Sequence, residues 1–189
     1  MQLPIQTTLK NGTAIELGEM QANEKETVKA LLNLIVNEGK TYPQAQPLNE
    51  AEFAAYWMAR DTFVVREWND SEDNAENQTG EQQTGKVLGA FYLKPNFPGR
   101  CSHICNAGFI VQPSARGLGI GRYMGENMLT IARDKGYSAV MFNLIFATNT
   151  ASLNLWKSLD FSILGIIPNA VQLDDRKVDA VMMYRDLLK

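Results

Sequence analysis

A glycine-rich turn set between two regular stretches constrains this chain more than any other feature. Arg116-Gly117-Leu118-Gly119-Ile120-Gly121 follows an apolar run ending Phe109-Ile110-Val111-Gln112-Pro113 and opens an amphipathic stretch over residues 122–135. A strand therefore runs into the turn, and a helix leaves it. The alternate glycines at 117, 119 and 121 have no Cβ, so the backbone can lie against a ligand with its N–H groups turned inward. Unpaired N–H groups and the positive dipole end of the helix complete an anion site suited to a pyrophosphate. Spacing excludes two nucleotide-binding loops. A dinucleotide fingerprint needs glycine at 122 or 124, where Arg122 and Met124 stand, and a P-loop would end in Gly-Lys-Ser/Thr where this turn ends Gly121-Arg122-Tyr123. The pattern left is Arg-x-x-Gly-x-Gly; its plain alternative is a glycine turn that only brings a helix close to a sheet.

At 189 residues the chain fits one domain, residues 1–189, with no room for a second catalytic unit. A net charge of −3 gives no bulk attraction to nucleic acid or to an anionic membrane, so neither is expected as a partner. The opening Met1-Gln2-Leu3-Pro4-Ile5-Gln6 lacks the basic and apolar regions of a secretion signal, and nowhere do about 18 apolar residues run together. The expected location is cytoplasmic. Cys101 and Cys105 lie too close on one extended segment to close a stabilising long-loop disulfide. With His103 they form Cys-x-His-x-Cys, three potential ligands on one face if the segment is a strand. No metal is expected, because that spacing splays the side chains and no fourth ligand is near.

Taken in order, residues 13–19 alternate as a strand, and residues 24–38 carry Val28, Leu31, Leu32, Ile35 and Val36 at helical spacing before the stop at Gly39. Asn49 as N-cap with Glu52 at N3 opens a second helix running to residue 59. Residues 62–68 read as a strand, 69–85 as a polar, mobile hairpin loop, and 86–93 as the next strand, stopped by Lys94-Pro95-Asn96. A strand over roughly 102–111 leads into the glycine turn and its helix, which ends at Gly136. Residues 138–146 form a nearly continuous apolar run, expected of a strand buried on both faces, with Asn143 its one polar interruption. Asn149 opens a helix through Leu159, and strands over 161–168 and 178–184 close the chain. This order predicts an α/β (α+β) fold: a mixed, mostly antiparallel sheet with helices on both faces.

Arg116-x-x-Gly119-x-Gly121 resembles the acetyl-coenzyme A loop of the GNAT acetyltransferase superfamily. A second motif, Asn149-x-x-Ser152-x-x-Leu155-Trp156-x-x-Leu159-x-Phe161, resembles that superfamily's Asn-x-x-Ala-x-x-Leu-Tyr helix ending in Gly-Phe, with Trp156 replacing the tyrosine and Asp160 the glycine. Alone it would read as a core helix, since Leu155, Trp156 and Leu159 share a face. A narrower resemblance, over residues 38–187, is to the fungal azetidine-2-carboxylate (proline-analogue) N-acetyltransferases. It rests on Gly39-Lys40-Thr41-Tyr42-Pro43-Gln44, Lys94-Pro95-Asn96, Arg100-Cys101-Ser102-His103, Cys105-Asn106-Ala107-Gly108-Phe109, Phe142-Asn143-Leu144 and Thr148-Asn149-x-Ala151-Ser152. The first ~35 residues and the region 168–178 match less well. The resemblance implies a GNAT-like fold, acetyl-CoA as cosubstrate and a small amino- or imino-acid as acceptor, and it leaves a homodimer open. It also implies that Phe109, Val111, Arg116, Gly117, Gly119, Gly121, Asn149 and Trp156 surround the cosubstrate, and that Asn106 and Asn143 bind the acceptor's carboxylate.

Acetyl transfer needs a neutral amine, a polarised thioester carbonyl and a tolerable thiolate leaving group. Where many members of the superfamily carry a glutamate base, this chain has Asn106-Ala107-Gly108, so deprotonation would pass through water, a backbone carbonyl or His103, the only histidine. Trp156 cannot protonate the thiolate, because an indole N–H is not a useful acid. The Asn106 and Asn143 amides can bond a carboxylate without carrying charge, though such asparagines also tie backbone groups together. Asn149 faces the cosubstrate or caps its helix, and both can hold. Two other functions compete: a protein or peptide acetyltransferase, and a non-catalytic coenzyme A sensor that keeps the turn but has lost the glutamate and tyrosine.

Overall fold

Alternation along the central strand decides how the layers stack. In the computed structural model, which describes residues 2–68, 85–173 and 176–188, strand β4 (Val87–Pro95) sends Leu88, Phe91 and Leu93 into one core and Val87, Ala90 and Tyr92 into another. A strand buried on both faces needs a helix layer on each. The first core is closed by α3 (Ile120–Asp134) and α4 (Thr150–Ser158), through Ile120, Met124, Met128 and Trp156. The second is closed by α1 (Lys25–Asn37) and α2 (Glu50–Phe53), through Val28, Leu32, Ile35 and Phe53.

The other strands are β1 (Ile5–Thr8), β2 (Ala14–Glu19), β3 (Asp61–Glu67), β5 (Ile104–Val111), β6 (Ala139–Phe146), β7 (Ser162–Leu173) and β8 (Arg176–Asp186). They form one sheet in the order β1-β2-β3-β4-β5-β6-β8-β7. Every pairing is antiparallel except β5 with β6. This is the mixed, mostly antiparallel α/β architecture expected from the sequence.

Several elements differ from the sequence reading. β1 has no signal in the sequence; its four residues are too few for alternation to register, and pairing with β2 holds it. β4 runs on through Lys94 and Pro95, opposite Asn106 and Cys105, because a proline at the last strand position forfeits no ladder bond that matters. β5 starts only at Ile104, since residues Gly99–Cys101 form a 3-10 turn. Cys101 and His103 are therefore exposed while Cys105 is buried, and the three do not share a strand face. β6 is not buried throughout: its register with β8 shifts between Phe142 and Ile145, which turns Asn143 and Leu144 outward. The loop expected at 69–85 lies outside the described residues up to 84.

A buried charge cluster anchors the β2–β3 end. Arg66 donates to Glu16 at 2.6 Å and to Glu24 at 2.8 and 3.1 Å. Breaking such a cluster by removing one partner costs about 3–5 kcal/mol, because an unpaired charge stays behind.

The end of α4 supplies a direct test. The Asp160 amide bonds the Lys157 carbonyl at 3.1 Å and the Phe161 amide bonds that of Trp156 at 3.0 Å, which is the double bond of a Schellman cap. Asp160 holds the left-handed position of that cap at φ 58°, whereas Gly136 does so after α3 at φ 85°. A side chain there costs about 1–2 kcal/mol, of which glycine's extra unfolded-state entropy returns about 0.4–1. Asp160 faces Arg185 at 3.8 Å, but it is 87% exposed, so the pair offsets little. Asp160→Gly should therefore raise stability by about 0.5–1 kcal/mol, read as a higher urea midpoint at unchanged slope. A lower midpoint would contradict this account of the cap.

Candidate active site

The site is built where two neighbouring strands part. β5 and β6 are parallel partners only at Ile104 with Ala139 and Cys105 with Val140. Past that point they diverge around a cleft of about 260 Å³. The hydrogen-bond phase of β5 shows what faces the gap. Gln112 donates to the Leu88 carbonyl at 2.8 Å, and Asn96 to that of Ile104 at 2.8 Å, so even-numbered residues of β5 pair with β4. Ala107, Phe109 and Val111 turn their N–H and C=O groups toward the missing partner. An extended chain carrying amides can pair there as a strand would.

At the end of β5 the glycine turn meets α3. Gly119 is the N-cap at φ 90° and Gly117 stands at φ 79°, conformations that exclude ordinary side chains. The first amide to bond back into the helix is that of Tyr123, to the Gly119 carbonyl at 3.0 Å. The amides before it at the helix start have no intrahelical acceptor and are available to an anion. A Cβ on either Gly117 or Gly119 would meet no protein atom within 4 Å, so the face of the turn is open. These features fit a coenzyme pyrophosphate. The Arg116 guanidinium bonds both carboxylate oxygens of Glu38 at 2.9 Å and ties the turn to the end of α1.

Aromatic rings floor the cleft on the α3–α4 side. Trp156 packs 4.4 Å from Phe142 and 4.9 Å from Phe109, and its indole N–H donates to Ser152 Oγ at 2.8 Å. That bond occupies its only polar group. Asn149 lines the cleft and caps α4, its Oδ1 accepting from the Ser152 amide at 3.1 Å.

The α1–α2 side is polar. Lys94 lies directly across from Asn106, and Tyr92 across from Gly108, which puts all four on one face. Gly108 is demanded by contact: a Cβ would sit 2.4 Å from the Tyr92 ring. Asn96 joins the two predicted amides, accepting from Asn106 at 3.2 Å and from Asn143 at 2.6 Å, and donating to Asn143 at 2.9 Å. The structure therefore brings Asn106 and Asn143 together, through a residue the sequence reading left without a role. Tyr42 lies over the cleft and donates to the Phe109 carbonyl at 3.2 Å. Burial, aided by Tyr56 and Tyr92, holds the Tyr42 phenol well above its usual range; burial does the same to Tyr92. His103 is exposed on the turn before β5 and does not line the cleft. Burial pushes the Cys105 thiol up to about 12, leaving it inert.

Residues 42–161 match the Acetyltransferase (GNAT) family, more than half of the chain, and the chain belongs to that family. N-acetyltransferase aca1 of Schizosaccharomyces pombe is 39% identical over 167 residues, which cover 85% of this chain and 79% of that protein. A GCN5-related N-acetyltransferase from Kribbella flavida has the same architecture, with a TM-score of 0.78 at 28% identity over 91% of this chain and 97% of that one. The fold is also that of a GNAT phosphinothricin acetyltransferase from Sinorhizobium meliloti solved with acetyl-CoA, at TM-score 0.76 and 18% identity over 91% and 88% of the two chains. The chain is an N-acetyltransferase that uses acetyl-CoA.

The turn can be tested on its own. Gly119→Asp forces a side chain into a left-handed position and sets a carboxylate beside the coenzyme phosphates. Calorimetry should then show coenzyme A binding weakened at least a hundredfold, about 2.7 kcal/mol, with the circular dichroism of a folded protein. Unchanged affinity would show that the phosphates bind elsewhere.

Proposed function

We propose that this enzyme acetylates the amine of a small amino- or imino-acid-like substrate. The observation that carries the reading is the chemistry of the acceptor side: amides of Asn106 and Asn143 held by Asn96, and no aspartate or glutamate among the described residues that line the cleft. Each NH₂ group has a second hydrogen beyond the one given to Asn96, and these can bond a substrate carboxylate. A cationic polyamine or a lysine side chain would find no counter-charge there. The proposal includes the cytoplasm as the location, where acetyl-CoA and free amino acids occur together.

Acetyl-CoA supplies an activated carbonyl and a thiolate leaving group. The protein's part is to hold, orient and polarise. Backbone N–H groups of Phe109 and Val111 are presented to the gap and can polarise the carbonyl that the amine attacks. The amides of the glycine turn hold the pyrophosphate, and Asn149 Nδ2 is free to face the cosubstrate while Oδ1 caps α4. The substrate nitrogen bonds the acetyl carbon, the carbon–sulfur bond breaks, and the amine proton passes through solvent to the departing sulfur. Among the described residues no carboxylate lines the cleft and His103 stands outside it, so water is the base in this scheme. Trp156, bound to Ser152, serves as packing beside the cosubstrate and not as an acid.

Asn106→Ala removes one donor to a charged group, which costs about 1.5–3 kcal/mol, or roughly ten- to more than a hundredfold in kcat/KM. The loss should appear in the KM for an imino acid such as azetidine-2-carboxylate, with coenzyme A affinity nearly unchanged. Equal activity of wild type and variant, or a wild-type preference for polyamines or peptide lysines, would transfer the assignment to a protein or peptide acetyltransferase.

A further inference from the structure

Lys94 stands inside the cleft as a cation with no counter-ion among the described residues. Its ammonium stands 5.7 Å from the centre of the Tyr56 ring and 5.4 Å from that of Tyr92. Those rings meet edge to face at 5.8 Å, so the two aromatic faces fix where the stem of Lys94 can go. Among the described residues no carboxylate pairs with it, whereas Lys25, Lys29 and Lys135 each have one. Half-burial is the main reason its pKa falls below the usual lysine value, and the charge of nearby, exposed Arg60 adds to the fall. Among the described residues Arg60 bonds just the Ala59 carbonyl, so it brings further positive charge and no compensation. A half-buried ammonium beside a second cation is an arrangement that an incoming anion would stabilise.

The sheet register says which anion. Lys94 and Asn106 are directly opposed on adjacent antiparallel strands, which places their Cβ atoms about 4.5–5.5 Å apart on the same face. One carboxylate can therefore take a bond from each. We infer that Lys94 selects acceptors with an anionic group beside the amine, its ammonium taking the carboxylate while the Asn106 amide donates to the same group. This rests on the amino-acid reading above and supplies it with a charge. A neutral amide pair tolerates a carboxylate; a lysine discriminates for it. The two aromatic rings also exclude water on one side, so the pair forms in a less screened environment than at the surface.

The test compares kcat/KM for azetidine-2-carboxylate and its neutral carboxamide in wild type, Lys94→Met and Lys94→Arg. Because amine basicity differs between the two compounds, the informative quantity is the change in their ratio on substitution. Lys94→Met should lower the acid-to-amide ratio by about ten- to a hundredfold, chiefly through the KM for the acid, and Lys94→Arg should restore most of it. Calorimetric affinity for coenzyme A reports whether each variant is folded, and Lys94→Gln replaces Lys94→Met if the latter does not bind it. An unchanged ratio in the uncharged variant would overturn the role of Lys94 while leaving the amino-acid reading intact. Failure of the wild type to acetylate either compound, with polyamines or peptides turned over instead, would overturn both.

Discussion

Everything this protein does depends on a pairing that stops. β5 and β6 share two parallel positions and then separate, so a mixed sheet that is otherwise continuous carries a gap with unspent backbone donors on one wall. A break in a central sheet is costly unless something fills it or the layers around it hold. Here both layers hold. α3 and α4 close one face and α1 with α2 the other, and a parting of strands between them becomes a passage from one face of the sheet to the other. In the proposed reaction the cosubstrate is held at the α3–α4 end and the acceptor at the α1–α2 end, and the reacting atoms meet where the sheet is missing.

The aromatic floor keeps that passage open at a fixed width. Phe109 and Phe142 come from the two diverging strands, and Trp156 lies against both from α4. Ser152 holds the indole by its N–H, and the same residue's amide is capped by Asn149, so the start of α4 and the ring are fixed by neighbouring bonds. A tryptophan in place of the usual tyrosine loses a proton donor and gains packing area. That exchange is consistent with a leaving thiolate that solvent can protonate unaided.

Much of the fold could be read from local patterns, because caps and periodicity are local. Asn49 and Glu52 do form a reciprocal capping box, and Gly39 and Gly136 do stand at positive φ after their helices. What escaped the reading depends on register. Nothing in Lys94-Pro95-Asn96 says that Lys94 faces Asn106 or that Asn96 bridges two amides, since strand pairing is a long-range fact. The outward turn of Asn143 comes from a shift against β8, and a bulge has no signature in an apolar run. Arg66 was equally silent, since a charge in a strand reads as a solvated face until two carboxylates from elsewhere are found around it. His103 differs in the opposite sense. Its neighbours suggested a strand, and a 3-10 turn carried it out of the cleft.

The claim that the gap between β5 and β6 is where acetyl transfer takes place is tested most directly by a crystal structure of the complex with coenzyme A. The account predicts the pyrophosphate against the amides of residues 117–121, and the pantetheine amides paired with the backbone of Phe109 and Val111 like an added strand. A coenzyme lying outside the sheet, with the N–H groups of those two residues left unpaired, would contradict it.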